Sequence, residues 1–276
     1  MKALPHYDPD DPYPESDGQP MAENTEQYEW LVKIKENLEI LFAGDPDVFI
    51  AGDLFWYPVP DRRISGPVAP DVMVAIGRPK GRRGSYKQWE EGGIAPQVVF
   101  EVLSPANSAM EMADKLAFYE TFGVEEYYVY DPSPNSLEVW LRQDGRLRRM
   151  SHLRGWTSPR LGIRFALTGE TLEIFDPQGQ PFLSSVELAQ RARQAASLAE
   201  QAVVRADEAD ARADEADARA EEADARAEEA DARAEEASAR AAQELIRAEQ
   251  ATARAQQERD RAERLAERLR ALGIEP

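Results

Sequence analysis

The sequence predicts a mixed α/β domain followed by one long α-helix, and three observations carry that reading. All five Trp and most of the Pro and Gly lie before residue 185, whereas the rest is almost wholly Ala, Glu, Asp, Arg and Gln with a few Leu. Before that boundary, short apolar runs bounded by Gly and Pro are interleaved with helix-length segments. Beyond it, a seven-residue repeat continues for tens of residues. The expected organisation is a polar leader over 1–22, an α/β domain over 23–182 and a heptad-repeat helix over 183–273.

Within the first part, Thr25–Phe42 places Tyr28, Leu31, Val32, Ile34, Leu38, Leu41 and Phe42 close to helical spacing, and Gly44 with Pro46 stops the helix. Strand-length runs rich in Val, Ile and aromatics follow at Val48–Ala51, Leu54–Tyr57, Asp71–Ile76, Gln97–Leu103, Glu126–Tyr130 and Leu137–Leu141. A second helix, about Ala109–Phe122, separates the fourth run from the fifth and ends at Gly123, the residue type best suited to leave a helix in a left-handed conformation. Gln97–Leu103, that helix and Glu126–Tyr130 therefore read as a strand-helix-strand unit feeding a mixed sheet. Leu161–Phe165 and Leu172–Ile174 look like late strands that close the domain.

In the tail, ADEADAR recurs at Ala206–Arg212 and Ala213–Arg219, AEEADAR at Ala220–Arg226 and Ala227–Arg233, then AEEASAR at Ala234–Arg240. With Ala206 at position a, Ala209 falls at d, Asp210 at e and Arg212 at g; the register reaches Leu188 upstream and Ala262, Leu265, Leu269 and Leu272 downstream. Glu208→Arg212, Glu215→Arg219, Glu222→Arg226 and Glu229→Arg233 are i,i+4 pairs in the favourable direction, each worth about 0.2–0.5 kcal/mol. A coiled coil joining copies of the chain is one expectation. A solvated single helix, held by Ala propensity and these pairs, is the other.

Composition excludes several classes of chemistry. With no Cys and two His in 276 residues, thiol nucleophiles, zinc-thiolate sites and His-rich metal sites have no donors, and His6 and His152 lack partners at metal spacing. No run approaches the roughly 18 apolar residues of a membrane span, and the first residues are acidic and Pro-rich, so a soluble cytoplasmic protein without a membrane partner is expected. A net charge of −19 repels nucleic acid at long range, so any such binding needs a local site and a cation.

Two acids stand out against apolar surroundings. Asp71 opens one strand, and Glu101 lies among Val98, Val99, Phe100, Val102 and Leu103. A buried charge costs several kcal/mol unless paired, so a single such Glu reads as an ion-paired structural acid. Two on adjacent strands could instead converge on a divalent cation such as Mg²⁺, a hard ion that takes oxygen ligands. Lys115 on the following helix could turn back to steady a hydrolytic water or developing phosphate charge.

Here the chain resembles a known family. YPESDGQPM (Tyr13–Met21), AGDLFWYP (Ala51–Pro58), APDVMV (Ala69–Val74), GRPKGRRGSYKQWEE (Gly77–Glu91), APQVVFEVLSP (Ala95–Pro105), DKLAFYETFGVEEYYVYDP (Asp114–Pro132) and SPRLGIRF (Ser158–Phe165) are similar, in order, to the Uma-two family of restriction-endonuclease-like proteins. That family belongs to the PD-(D/E)XK nuclease superfamily, and the resemblance spans about Tyr13 to Pro181. It implies a restriction-endonuclease-like mixed sheet flanked by helices, Mg²⁺ with Mn²⁺ as a substitute, DNA as substrate, and Asp71 and Glu101 as metal-binding acids. The superfamily's Lys two residues beyond the second acid is here Leu103; the resemblance places its substitute at Lys115, completing a catalytic set of Asp71, Glu101 and Lys115.

Further candidates are Glu23 or Glu26 as a third acid, though a helix acid first reads as solvent-facing, Asp53 beside a Gly, and Tyr119, which shares the Lys115 helix face but reads first as a core aromatic. Arg78, Lys80, Arg82, Arg83 and Lys87 form an acid-free basic island that could contact phosphate, or a commonplace basic loop. The first functional reading is a Mg²⁺-dependent endonuclease on DNA whose helix pairs subunits as a homo-oligomer. The rival is a catalytically inactive nuclease-like binding or scaffold protein, which the net charge favours. A carbohydrate hydrolase using Asp71 and Glu101 as its carboxylate pair stands third, because the motif order matches the nuclease family.

Overall fold

The computed structural model describes residues 13–16, 18 and 22–273, so most of the expected leader, His6 and part of the Tyr13–Met21 motif lie outside the described residues. The chain divides into two compact units after Gln194.

The first helix, α1 (Thr25–Leu41), starts at Asn24, whose side chain accepts a hydrogen bond from the Gln27 N–H. Its apolar spacing buries Trp30, Leu31, Ile34 and Leu38, each worth about 1.5–3 kcal/mol of transfer from water. The strands β1 (Val48–Gly52), β3 (Val72–Ile76), β5 (Val98–Val102), β6 (Glu126–Asp131), β7 (Ser136–Gln143) and β8 (Arg146–Arg149) form a six-stranded sheet in the order β1-β3-β5-β6-β7-β8. Only β5 and β6 are parallel within it, and α2 (Ala109–Phe122) makes their crossover. At its end Gly123 adopts φ 108° and returns its N–H to the Tyr119 carbonyl, a conformation that favours glycine.

Strand alternation sorts the sheet into two faces. Val72, Val74, Val98, Phe100 and Val102 pack with α1 on one face. Phe49, Met73, Ala75, Val99, Tyr127 and Val129 meet Tyr119 of α2 on the other. Asp71 and Glu101 share the parity of this second set, so the period of two aims both acids at the face that α2 covers.

The smaller pairs are β2 (Trp56–Tyr57) with β4 (Tyr86–Lys87), and β9 (Arg164–Leu167) with β10 (Leu172–Phe175). The first late strand begins three residues beyond its expected start: Leu161 and Ile163 are buried as expected, but they lie in the turn that leads into β9. The strand β8 was not expected, because only Leu147 of its four residues is apolar and buried. Its signal was the Asp144–Gly145 turn, both residues at positive φ, which makes a hairpin with β7. Arginines suit this position, since charged side chains protect an edge strand from further pairing.

The last helix, α3 (Ser185–Ala271), runs for 87 residues and buries none of them. At 1.5 Å per residue it is about 130 Å long. The expected ion pairs form along it: Arg219 to Glu215 at 2.6 Å, Arg226 to Glu222 at 2.6 Å and Arg233 to Glu229 at 2.5 Å. Among the described residues, no helix is long and apolar enough to cross a membrane.

Candidate active site

The β3–β5 register pairs Val72 with Phe100, so the next position along sets Asp71 opposite Glu101 where the ladder ends. The Asp71 carboxylate takes the place of a backbone partner there: Oδ2 accepts from the Val102 N–H at 2.6 Å. Gly52 lets β1 approach this point, since a Cβ on it would meet Leu31 Cδ2 at 3.0 Å and the Asp71 carbonyl at 3.3 Å. The next residue, Asp53, adopts φ 47° and donates its N–H to the Pro70 carbonyl, and its charge is near enough to help push the Asp71 carboxyl up.

Helix α2 completes the site through its i,i+4 spacing, which puts Lys115 and Tyr119 on one face above Glu101. Lys115 Nζ lies 2.9 Å from Glu101 Oε2, and the Tyr119 hydroxyl donates to Glu101 Oε1 at 2.5 Å. Leu103 has the parity of Glu101 and packs against the apolar cluster beneath α2. Where the superfamily pattern would carry a Lys, this chain has a packing residue, and an ammonium reaches Glu101 from the helix instead.

Helix α1 supplies a group that sequence reasoning missed. Gln27 Oε1 accepts from the Glu23 N–H at 3.0 Å, which leaves Nε2 to donate to the Val102 carbonyl at 3.1 Å and to Asp71 Oδ1 at 3.4 Å. Its signal was Asn24-x-x-Gln27, the spacing of a capping box. Neither acid nominated from α1 takes this place: Glu26 is exposed, and Glu23 accepts from the Ser104 hydroxyl at 3.2 Å.

Both acids are shut away from water, Glu101 at 3 % and Asp71 at 8 % exposure. Burial pushes the Glu101 carboxyl up to about 7, against the pull of the Lys115 ammonium and with the push of Asp71. Burial also raises Asp71, opposed by the Val102 N–H, Lys115 and Gln27. For Lys115, burial disfavours the charge, but Glu101, with Asp71 and Glu111, outweighs it and holds the ammonium above its ordinary range. Two desolvated carboxylates thus share one ammonium, an arrangement that further positive charge would stabilise.

The basic island has a different geometry. Arg78 and Arg83 both clasp Glu91, at 2.8 and 2.5 Å, and Arg83 also lies over the Phe49 ring. Lys80 donates to the Phe42 carbonyl at 2.5 Å, Lys87 lies 3.8 Å from Glu90, and Arg82 is exposed. The sequence window that held no acid folds onto one just beyond it. Beside the acids, Leu103, Met112, Leu116, Val129, Trp140 and Tyr127 wall a cleft of about 440 Å³. The Tyr127 hydroxyl is buried and makes no hydrogen bond among the described residues. His152 contacts the Ser151 hydroxyl on the surface.

A search of curated proteins returns no match. Among the solved structures that match is "a putative nuclease belonging to DUF820 from Anabaena variabilis ATCC 29413", 14 % identical, with the alignment covering 52 % of this chain and 79 % of that one at a TM-score of 0.38. The family model described as "Uma2: Putative restriction endonuclease" matches residues 12–188. That match covers nearly all of the described globular unit, including every strand, both short helices, Asp71, Glu101 and Lys115, and by it the chain belongs to the Uma2 family.

Proposed function

We propose that this chain is a Mg²⁺-dependent endonuclease that hydrolyses DNA phosphodiester bonds, with Mn²⁺ able to replace Mg²⁺. The observation that carries the reading is the buried pair Asp71 and Glu101 at the end of adjacent strands, with Lys115 on Glu101. The donor set fits such an ion. Each of the four carboxylate oxygens accepts one hydrogen bond, which leaves each a second lone pair. Two carboxylates suffice for Mg²⁺, an ion that keeps several waters and binds through one or two carboxylates plus phosphate; among the described residues no cluster of three or more acids or His is found.

When bound, the ion would polarise the scissile phosphate and make a coordinated water more acidic. The side chains do the rest. The Val102 N–H and Gln27 hold Asp71 in place, and Tyr119 orients Glu101. Lys115, kept cationic by its acidic neighbours, supports the attacking water or the charge that grows on the phosphate. Lys80, Arg82 and Lys87 face the nucleic-acid backbone; Arg78 and Arg83 hold the loop in shape through Glu91. The α3 helices pair two copies of the chain, because cutting both strands of a duplex calls for two sites.

Cleavage of plasmid and single-stranded DNA with Mg²⁺ or Mn²⁺ tests this, comparing wild type with Asp71→Ala, Glu101→Ala and Lys115→Ala. Metal-dependent cutting by wild type alone is the expected result. Cutting that survives in the two acid variants removes the site assignment. No cutting by any form, with no ion bound by calorimetry, replaces the enzyme by the scaffold protein.

A further inference from the structure

We propose that α3 pairs with the same helix of a second copy of this chain in parallel and in register. The inference rests on the pairing proposed above and adds its direction. The charges flanking the seam carry it. From Ala206 onward, position e is Asp at 210, 217, 224 and 231, and position g is Arg at 205, 212, 219 and 226. In a parallel pair each g residue faces e of the next heptad across the seam. Arg212 then meets the partner's Asp217, and Arg219 the partner's Asp224. An antiparallel pair sets g against g and e against e, bringing Arg to Arg and Asp to Asp along the whole repeat.

Arg212, Arg219 and Arg226 already hold the Glu four residues before them, Arg219 with Glu215 at 2.6 Å. A guanidinium has five donors in a planar fork, so it can serve both acids. The apolar end points the same way. Leu265 and Leu272 are 54 % and 74 % exposed, and with Leu269 they occupy successive d, a and d positions. Parallel in-register pairing buries each against its own counterpart, whereas full antiparallel overlap sets them against the smaller seam of Ser185, Leu188, Ala192 and Ala195 at the start of α3. Glu244 and Glu258 also fall at d and interrupt the seam, which divides the contact into an Ala block over 206–237 and a Leu block over 262–272. The consequence is functional: parallel helices attach both catalytic domains at the same end, whereas antiparallel ones separate the attachment points by about 130 Å.

The chain has no Cys, so a single spin label can be placed on the full-length protein without other changes. Ala211→Cys and Ala253→Cys each sit at position f on the outer side of the pair, exposed and six heptads, or about 63 Å, apart. Light scattering should give a dimer, and pulsed EPR should give a label-to-label distance under about 30 Å at both sites, from two helices 8–10 Å apart. In any antiparallel register at least one site exceeds about 60 Å, which overturns the direction and leaves pairing intact. Equal but longer distances at both sites overturn the register. A monomer overturns the pairing itself.

Discussion

Replacing Glu101 by Gln should make the folded protein more stable at pH 8 relative to wild type than it is at pH 4.5. In the fold Glu101 titrates at about 7, against an ordinary 4.5, because burial penalises its charge. A carboxyl with a raised folded pKa contributes stability that is fully present below the unfolded value and is lost as pH rises through the folded one. Wild type therefore loses roughly 3 kcal/mol from this group between about pH 4.5 and 7, at 1.36 kcal/mol per pKa unit. Gln cannot titrate and escapes that loss. The loss of the Lys115 contact offsets the two curves, and Asp71 and Glu111, which still act on that ammonium in the variant, keep the offset nearly constant across this window. Urea unfolding in EDTA, followed by Trp fluorescence, isolates the globular unit, since all five Trp precede α3. The stability difference between Glu101→Gln and wild type should grow by about 3 kcal/mol from pH 4.5 to 8, or roughly 6–12 °C in Tm for a domain of this size. A difference that stays level across that range refutes the reasoning, because Glu101 would then not be a desolvated carboxyl.

Lys115→Met removes the ammonium that opposes this burial, so the loss of stability with rising pH should extend above pH 7 and the variant should be about 3–5 kcal/mol less stable than wild type at pH 8, with a smaller deficit at pH 5; the same titration reads it. Mg²⁺ affinity measured by calorimetry should fall about tenfold per pH unit below 7, where the ion must displace one proton from the acid pair; a pH-independent affinity contradicts this. Tyr127→Phe should leave stability unchanged or raise it by about 1 kcal/mol, because the hydroxyl it removes is buried without a partner. Glu91→Gln should lower stability by about 1–3 kcal/mol by loosening Arg78 and Arg83 together, measured by urea unfolding.

The acid pair was legible in the sequence because the strand period is short and strict. Once Asp71–Ile76 and Gln97–Leu103 read as strands, a carboxylate inside an apolar run had to face a partner. The i,i+4 spacing on α2 likewise made Lys115 and Tyr119 neighbours, although which contact Tyr119 makes depends on how closely the helix approaches the sheet. Gln27 could not be weighed against Glu23 and Glu26 from spacing alone: α1 needs tertiary packing to decide which residue of its first turn faces β3 and β5. The pairing of Arg78 and Arg83 with Glu91 escaped for the opposite reason. A window of ten residues without an acid looked free, and the turn after Lys87 brings an acid back. The sequence alone leaves the direction of the heptad pair open; the e and g charges of the repeat become an argument for the proposed direction once α3 is seen as one continuous, unburied helix.

The central claim is that Asp71 and Glu101 together hold a divalent ion. Mn²⁺ titration of the DNA-free protein, read by EPR at pH 8, tests it without reference to turnover. The account predicts one ion per chain in wild type, displaced by Mg²⁺, and none at that site in Asp71→Asn or Glu101→Gln with the fold intact. Mn²⁺ binding that is unchanged in both variants would contradict it.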